Sequence, residues 1–444
     1  MLLSQIATVL SADLLGHDTS YQHVSIDSRA VNPGDLFVAI AGENFDGHDY
    51  IEQAKERGAV GAVISKPINS SLPLVIVPDT RVALGKIAAY HRQQFHIPLI
   101  ALTGSFGKTT VKEMIASILR QCGSVLANVG TLNNDIGVPL TLLQLNSEHR
   151  YAVIEVGANH PGEIANLIQL VSPQVAMITM VRPMHVEGFG SIEGVAKAKS
   201  EIFQGLSEDG IAVLNADDKF FHLCQQAIGN KKLKTFSMQK DADVTGQLIS
   251  IDENGKCFIK IKTSEGEIEV HLSLPGEHQF LNALAAATAT KSLAIPLSAI
   301  KAGLESVEPI KGRMNVHRLN AHGCVVDDTY NAGPDSVKAA INYLERLPGR
   351  RILVLGDMKE LGPESKKYHE EIGHYAKEKG IESVLTFGDL TRFTSSAFGH
   401  DSKHFTERDE LIDYLKPLLN SETTILVKGS KSMKMGLVVN ALIG

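Results

Sequence analysis

Cysteine is scarce and scattered: Cys122, Cys224, Cys257 and Cys324 form no CxxC pair and no Cys/His spacing suited to zinc. A chain of this length needs no disulfide staples, so free thiols in a reducing compartment are expected. Positive charge is not in excess either, since 43 basic against 50 acidic residues leave a formal net charge of −7. That balance offers no broad attraction to nucleic acid or an anionic membrane, although it permits a local pocket for a phosphorylated ligand. No stretch approaches the roughly 18 uninterrupted apolar residues of a membrane span. Residues 1–6 are apolar but lack a basic leader region, and Asp13 interrupts them, so they read as an amphipathic helix rather than a signal peptide. A cytoplasmic protein is expected. Repeats and low-complexity segments are also missing, and 43% hydrophobic with 21% charged residues gives no compositional argument for disorder.

What is present is too long for one hydrophobic core, so two or three domains are expected. In the first ninety or so residues the turn Asn32-Pro33-Gly34-Asp35 leads into the apolar run 36–40. A second turn over 41–48 opens a helix near 50–57, and 58–64 returns to strand. Helix alternating with strand implies βαβ units and a largely parallel sheet. A second unit starts with a strand over 98–102, a glycine loop and a helix over 111–120. Its later strands are 151–156, 175–181 and 211–214, and Ser273-Leu274-Pro275-Gly276 precedes an alanine-rich helix over 282–293. A third unit begins after Lys311-Gly312-Arg313, with strands over 323–326, 351–356, 383–387 and 424–427. The expected domains are 1–93, 94–311 and 312–444.

The glycine loop is Thr103-Gly104-Ser105-Phe106-Gly107-Lys108-Thr109-Thr110. A turn of this kind between a buried strand and a helix start aims backbone N–H groups at phosphate oxygens, and the helix dipole favours the anion. Lys108 is placed for the β- and γ-phosphates of ATP, and the Thr109 hydroxyl for Mg²⁺. Only Ser105 and Phe106 separate Gly104 from Gly107, so the loop is shorter than the common GxxxxGK pattern. A plain glycine turn is the bland alternative, and the Lys-Thr-Thr that follows argues against it. A P-loop fold carries a metal-holding carboxylate at the end of a neighbouring strand. Glu155, after Tyr151-Ala152-Val153-Ile154, has that place, although an isolated strand-end glutamate can be a solvated or capping residue. His185 and Lys199 read equally well as a structural histidine and a solvated helix face or as site residues.

Together these segments resemble the Mur ligase family, which joins amino acids or peptides to a UDP-linked muramic acid precursor. Residues 103–110 match its TGxxGKTT loop, and Asn215-Ala216-Asp217-Asp218 matches its N-x-D-D segment. Residues 276–283 resemble its G-x-H-N-x-x-N-A stretch, and Asp327-Asp328-Thr329-Tyr330-Asn331-Ala332 its D-D-[ST]-Y-N-A. Segments 133–143, 155–159, 355–362 and 428–434 are similar to the members that add D-alanyl-D-alanine to UDP-N-acetylmuramoyl-tripeptide. The D-N-P-R segment of the members adding the third residue does not occur. Three departures stand out: the family's T-N-I-G-x-A-H reads Thr179-Met180-Val181-Arg182-Pro183-Met184-His185, and Gln279 and Gly333 each replace an asparagine.

The resemblance implies a small N-terminal α/β domain for the UDP precursor, a central P-loop-type ATPase domain with a mainly parallel sheet, and a C-terminal Rossmann-like α/β domain. It implies ATP with two Mg²⁺ ions, and as substrates UDP-N-acetylmuramoyl-tripeptide and D-alanyl-D-alanine, with a monomer as the default. By position, Thr103, Gly104, Ser105, Gly107, Lys108, Thr109 and Thr110 would hold the phosphates, with Asn282, Arg313 and Asp328 beside the nucleotide. Ser28, Arg29, Gly42, Asp46 and His48 would receive the UDP end. Lys199 would be carbamylated, turning a cation into an oxygen ligand for a hard metal, and Glu155 and His185 would complete its site. Lys108, Lys199 and His185 form the expected catalytic group, and Thr109 the remaining metal ligand.

The reaction implied is activation of a carboxylate by ATP as an acyl phosphate, then attack by the dipeptide amine. Water would destroy the acyl phosphate, so the C-terminal unit is expected to rotate onto the central one before chemistry. Competing readings are the ligase adding the third residue and a folate polyglutamate synthase-like ligase. From another class comes a P-loop nucleotide switch, which would release ADP without forming an amide. A catalytically dead scaffold is disfavoured because Lys108, Thr109, Glu155, His185 and Lys199 are all present.

Overall fold

The computed structural model describes residues 1–42, 44–130, 132–319 and 323–444; Glu43, inside the turn read over 41–48, lies outside the described residues. Three sheets follow one another along the chain. The first has the spatial order Asp13–Leu15, Leu74–Ile76, Gly61–Ile64, Leu36–Val38, Val24–Ser25, with the Asp13–Leu15 edge antiparallel and the rest parallel.

The middle sheet runs Gly266–Pro275, Lys256–Thr263, Val244–Ile251, Lys232–Ser237, Ile211–Asn215, Val175–Ile178, Leu99–Thr103, Tyr151–Glu155, Val125–Ala127. Leu99–Thr103 is buried at every residue, as a parallel strand covered on both faces must be. From it the chain crosses to the far edge, returns to Tyr151–Glu155 on one side, and continues to Val175–Ile178 on the other. This reversal opens a crevice at the carboxyl ends of the three strands, where ligands of open α/β sheets bind. Helix Lys108–Arg120 covers one face with Val111, Met114, Ile115, Ile118 and Leu119, all buried and at helical spacing. Helix Leu297–Glu305 packs directly on that helix's backbone, since a Cβ at Gly303 would lie 2.3 Å from Ile118 Cα.

The third sheet runs Asn315–Leu319, Gly323–Asp328, Thr423–Lys428, Arg350–Gly356, Ser383–Phe387, Ser402–Phe405, parallel except for its first pair. Three α/β domains with mostly parallel sheets agree with the fold class expected from the sequence.

Several elements differ from the sequence reading. The antiparallel strands Val244–Ile251, Lys256–Thr263 and Gly266–Pro275 extend the middle sheet and were not expected. In Lys256–Thr263 the residues Cys257, Ile259, Ile261 and Thr263 alternate inward between the more exposed Lys256, Phe258, Lys260 and Lys262, a half-buried period-2 pattern that the outward phenylalanine and the lysines disguise. The strand read over 175–181 stops at Ile178, and the helix read over 282–293 spans His278–Lys291. That helix starts earlier because Gly276, at φ +105°, makes a turn whose carbonyl accepts from Gln279 N–H. Strands Asn315–Leu319 and Ser402–Phe405 were also not anticipated. Among the described residues no helix is long and apolar enough to cross a membrane.

Candidate active site

The phosphate loop begins where Leu99–Thr103 ends. Gly104 and Gly107 have φ of +153° and +78°; a Cβ at 104 would lie 1.9 Å from Thr179 Oγ1, and one at 107 2.5 Å from Asn282 Oδ1. Both positions therefore demand glycine. The loop is moulded by the segment after Val175–Ile178. Thr179 Oγ1 donates to Phe106 O (2.6 Å), and Ser105 N–H donates to Met180 O (2.8 Å). Ser105 Oγ donates to Arg182 O and accepts from Arg182 N–H, each at 2.9 Å. Lys108 opens the helix and folds back to donate to Gly104 O at 2.9 Å. Burial pushes its ammonium pKa down, Glu155 opposes this, and Arg313 adds to it.

Glu155 ends the adjoining strand, is 1% exposed, and is held at every polar atom. Thr109 Oγ1 donates to its Oε2 and Asn133 Nδ2 to its Oε1, each at 2.8 Å. Asn128 grips its backbone from both sides, accepting from Glu155 N–H and donating to Glu155 O, each at 2.9 Å. Asn128 is in turn held by the buried Lys112 ammonium, which donates to Asn128 O. Asn128 and Lys112 had no sequence signal, and Asn133 stood only within the similar segment 133–143 with no role assigned; the tertiary contacts identify all three.

Lys199 lies on helix Ile192–Ser200 and is 3% exposed. Its ammonium has no hydrogen-bond or ion-pair partner among the described residues, and its ring neighbour is Phe189 at 6.0 Å. Burial pushes its pKa far down, Lys108 adds to the effect, and Glu155 works against it. Lys108, Glu155 and Lys199 therefore share one electrostatic site. His185 borders it; burial lowers its imidazole, while the Glu360 carboxylate pulls it up. Its Nδ1 contacts Glu360 Oε2 from the C-terminal domain, and both residues sit in left-handed backbone, at φ +53° and +63°. For non-glycine residues that conformation is uncommon.

The C-terminal domain supplies the opposite wall. Arg313 Nη2 donates to Thr109 Oγ1 at 2.9 Å, and its guanidinium stacks on Tyr330, 4.1 Å from the ring centre. Asp328 accepts from Lys428 Nζ at 2.6 Å and from Met314 N–H at 3.2 Å. Asn282 Nδ2 donates to Gln279 Oε1 at 2.9 Å, so this glutamine orients the asparagine beside the loop. Gly333 is another close approach, since a Cβ there would lie 2.8 Å from Phe106 Cζ. Between the walls lies a cleft of about 1000 Å³ lined by Lys108, Glu155, His185, Asn282, Arg313, Asp328 and Lys359.

The five residues assigned to the UDP end stay on the N-terminal domain and do not line this cleft. His48 is buried with both nitrogens engaged: Nδ1 with Asp46 Oδ1 (2.6 Å) and Nε2 accepting from Ser65 N–H (2.9 Å). The Lys66 ammonium and His48 hold the Asp46 carboxyl well below the usual range. Ser28 Oγ donates to Gln53 Oε1, Arg29 pairs with Asp27, and Gly42 N–H donates to Phe45 O. These are framework contacts, and His48 in particular has no nitrogen left for a ligand.

Among the described residues no three His, Cys, Asp or Glu side chains cluster as a ready metal site. The oxygens that do converge are Thr109 Oγ1 and Glu155 Oε2, and hard oxygen donors beside a phosphate loop fit Mg²⁺. Thr103 Oγ1, at the strand end, is buried without a hydrogen-bond partner among the described residues.

Three family models match along the chain: "Mur ligase family, catalytic domain" over 20–96, "Mur ligase middle domain" over 102–290, and "Mur ligase, glutamate ligase domain" over 312–431. The chain is 46% identical over 443 residues to the UDP-N-acetylmuramoyl-tripeptide–D-alanyl-D-alanine ligase of Escherichia coli, covering 99% of this chain and 98% of that protein. It superposes on the crystal structure of MurF from Acinetobacter baumannii with a TM-score of 0.93, at 33% identity, covering 99% of this chain and 98% of the other. With MurF from Thermotoga maritima in complex with ADP the TM-score is 0.85, at 28% identity, covering 95% and 97%.

Proposed function

This chain belongs to the Mur ligase family, and from that premise we propose that it uses ATP to join D-alanyl-D-alanine to UDP-N-acetylmuramoyl-tripeptide in peptidoglycan precursor synthesis. The observation that carries the reading is the cleft in which the phosphate loop and Glu155 face Arg313, Asp328 and Lys359 of another domain. Two substrates can enter such a cleft from separate walls and meet at the phosphate.

The precursor's terminal carboxylate attacks the γ-phosphorus of ATP, and the bond to the β–γ bridging oxygen breaks to leave an acyl phosphate and ADP. The neutral amine of D-alanyl-D-alanine then adds to the acyl carbon, the tetrahedral intermediate expels phosphate, and the amine's proton passes to solvent. Both steps build negative charge on oxygens, so positioning and preorganised cations supply most of the acceleration. Lys108 and Arg313 place such cations at the loop. Mg²⁺ held by Thr109 and Glu155 would neutralise phosphate charge.

Lys199 is read as a carbamate. Burial and Lys108 push its pKa down, which favours the neutral amine, and that amine can add to CO₂, forming an N–C bond and releasing one proton. The product would be an anion in the field of Lys108, able to take part in a second Mg²⁺ site with Glu155 and His185. In the same reading residues 1–93 hold the UDP precursor around Ser28, Arg29, Gly42 and Asp46, with the buried His48 holding Asp46 in place rather than touching the ligand. Residues 94–311 hold ATP, 312–444 form the C-terminal ligase domain, and the enzyme works in the cytoplasm as a monomer.

The decisive experiment screens amine and precursor pairs for phosphate release and for the mass of the product. D-alanyl-D-alanine with UDP-N-acetylmuramoyl-tripeptide should stimulate both. No stimulation by that pair rejects the assignment. Stimulation by a diamino acid with the dipeptide precursor would favour the third-residue ligase, and ADP release with no amide would favour a nucleotide switch.

A further inference from the structure

We propose that Arg182 is a positioning residue that couples seating of the C-terminal domain to the shape of the phosphate loop, through an ion pair with Asp335. Arg182 stands in the segment that departs from the family pattern before His185. Its backbone is clasped to the loop, because Ser105 Oγ accepts from Arg182 N–H and donates to Arg182 O. Its guanidinium is fixed on the central domain by Nη1 donating to Val181 O at 2.7 Å and to Asp218 Oδ2 at 3.2 Å. Asp218 is itself 8% exposed and also accepts from Val181 N–H at 2.9 Å. From that anchored position Arg182 Nε reaches Asp335 Oδ2 at 3.2 Å, in the first turn of helix Pro334–Glu345 of the C-terminal domain.

An exposed ion pair between two mobile side chains contributes little, largely because both must be ordered to make it. Here the guanidinium is already ordered by two contacts on its own domain, so the pair with Asp335 loses less freedom. The same helix start brings Gly333 against Phe106, the residue next to Ser105 in the loop. One arginine thus touches the loop through its main chain and the moving domain through its side chain. A shift of either partner is felt by the other, and the coupling is reciprocal: nucleotide in the loop favours closure, and closure tightens nucleotide.

The inference rests on domain closure as part of the proposed reaction, but its test needs neither precursor nor dipeptide. Full-length wild type, Asp335→Ala and Asp335→Glu are compared by solution scattering and by binding of a non-hydrolysable ATP analogue. In Asp335→Ala the compaction produced by the analogue should shrink and the analogue should bind about threefold to fivefold more weakly, the range a single exposed ion pair supports. Asp335→Glu, which can still reach Arg182, should recover most of both. Wild-type compaction and affinity in Asp335→Ala would overturn the proposal. Equal impairment of the Ala and Glu variants would overturn it too, since a carboxylate able to reach Arg182 would then not be enough.

Discussion

A buried ammonium with no acceptor is a poor thing to fold around, and proteins resolve it by neutralising or modifying the group. Lys199 presents that problem, at 3% exposure and with its pKa driven far down by burial and by Lys108. A carbamate answers it by replacing a repelled cation with an anion that Lys108 attracts. Lys199→Ala should lower turnover by about a hundredfold, the scale on which electrostatic groups at a reacting centre act. Acetate or another short acid should restore part of it. Independently of activity, wild type equilibrated with ¹³C-bicarbonate should show a carbamate carbonyl resonance that the alanine variant lacks. Full activity in the unrescued variant would refute the role. The loop residues Gly104, Gly107, Lys108 and Thr109 were legible in the sequence because their chemistry is local, a few residues in a row. Lys199 was not legible from its own neighbourhood, because what sets it apart is its burial with no polar partner among the described residues.

At the level of elements, the loop after Arg350–Gly356 carries Lys359 and Glu360 to the cleft and is held from behind by a helix. His369 of helix Ser365–Glu378 is fully buried. Its Nε2 accepts from Met358 N–H at 3.1 Å, so Nδ1 carries the proton and donates to Ser365 O at 2.7 Å. Beside it burial pushes the Asp357 carboxyl up, but Lys359 and the Thr391 and Leu390 N–H groups outweigh this, leaving it low. Protonating His369 would set an N–H against the Met358 N–H. Burial accordingly lowers the His369 pKa from its ordinary 6.5, and burial also lowers His185, His278 and His404. A lowered histidine binds its proton more weakly when folded than when unfolded. Its contribution is therefore present above pH 6.5 and lost as pH falls from there through the folded value. Urea midpoints should drop on acidification below pH 6.5, and His369→Gln should flatten part of that slope. An unchanged slope would remove His369 from the explanation. Elements themselves were read best where burial is two-sided, as in Leu99–Thr103, and worst where it is one-sided. In Lys256–Thr263 half the positions are polar, and only the sheet reveals which half faces in.

For the whole molecule, four of the contacts between the central and C-terminal domains sit around the loop: Arg313 on Thr109, Glu360 on His185, Asp335 on Arg182, Gly333 against Phe106. They enclose a site that must exclude water while an acyl phosphate exists. Scattering curves recorded with nucleotide and precursor should therefore report a smaller separation of these domains than curves without them. Equal separations in the two conditions would sink closure as a step.

The sequence by itself determined the chemistry and the order of domains, since a phosphate loop, a strand-end carboxylate and helix-strand alternation depend on residues close together along the chain. The tertiary structure decided what those residues are worth. It set the depth of Lys199, the grip of Asn128 on Glu155, and the commitment of His48 to its own domain. It also turned the Arg182 and Gly333 departures into contacts across a domain boundary. Burial and pairing are properties of distant segments brought together, and no local pattern contains them.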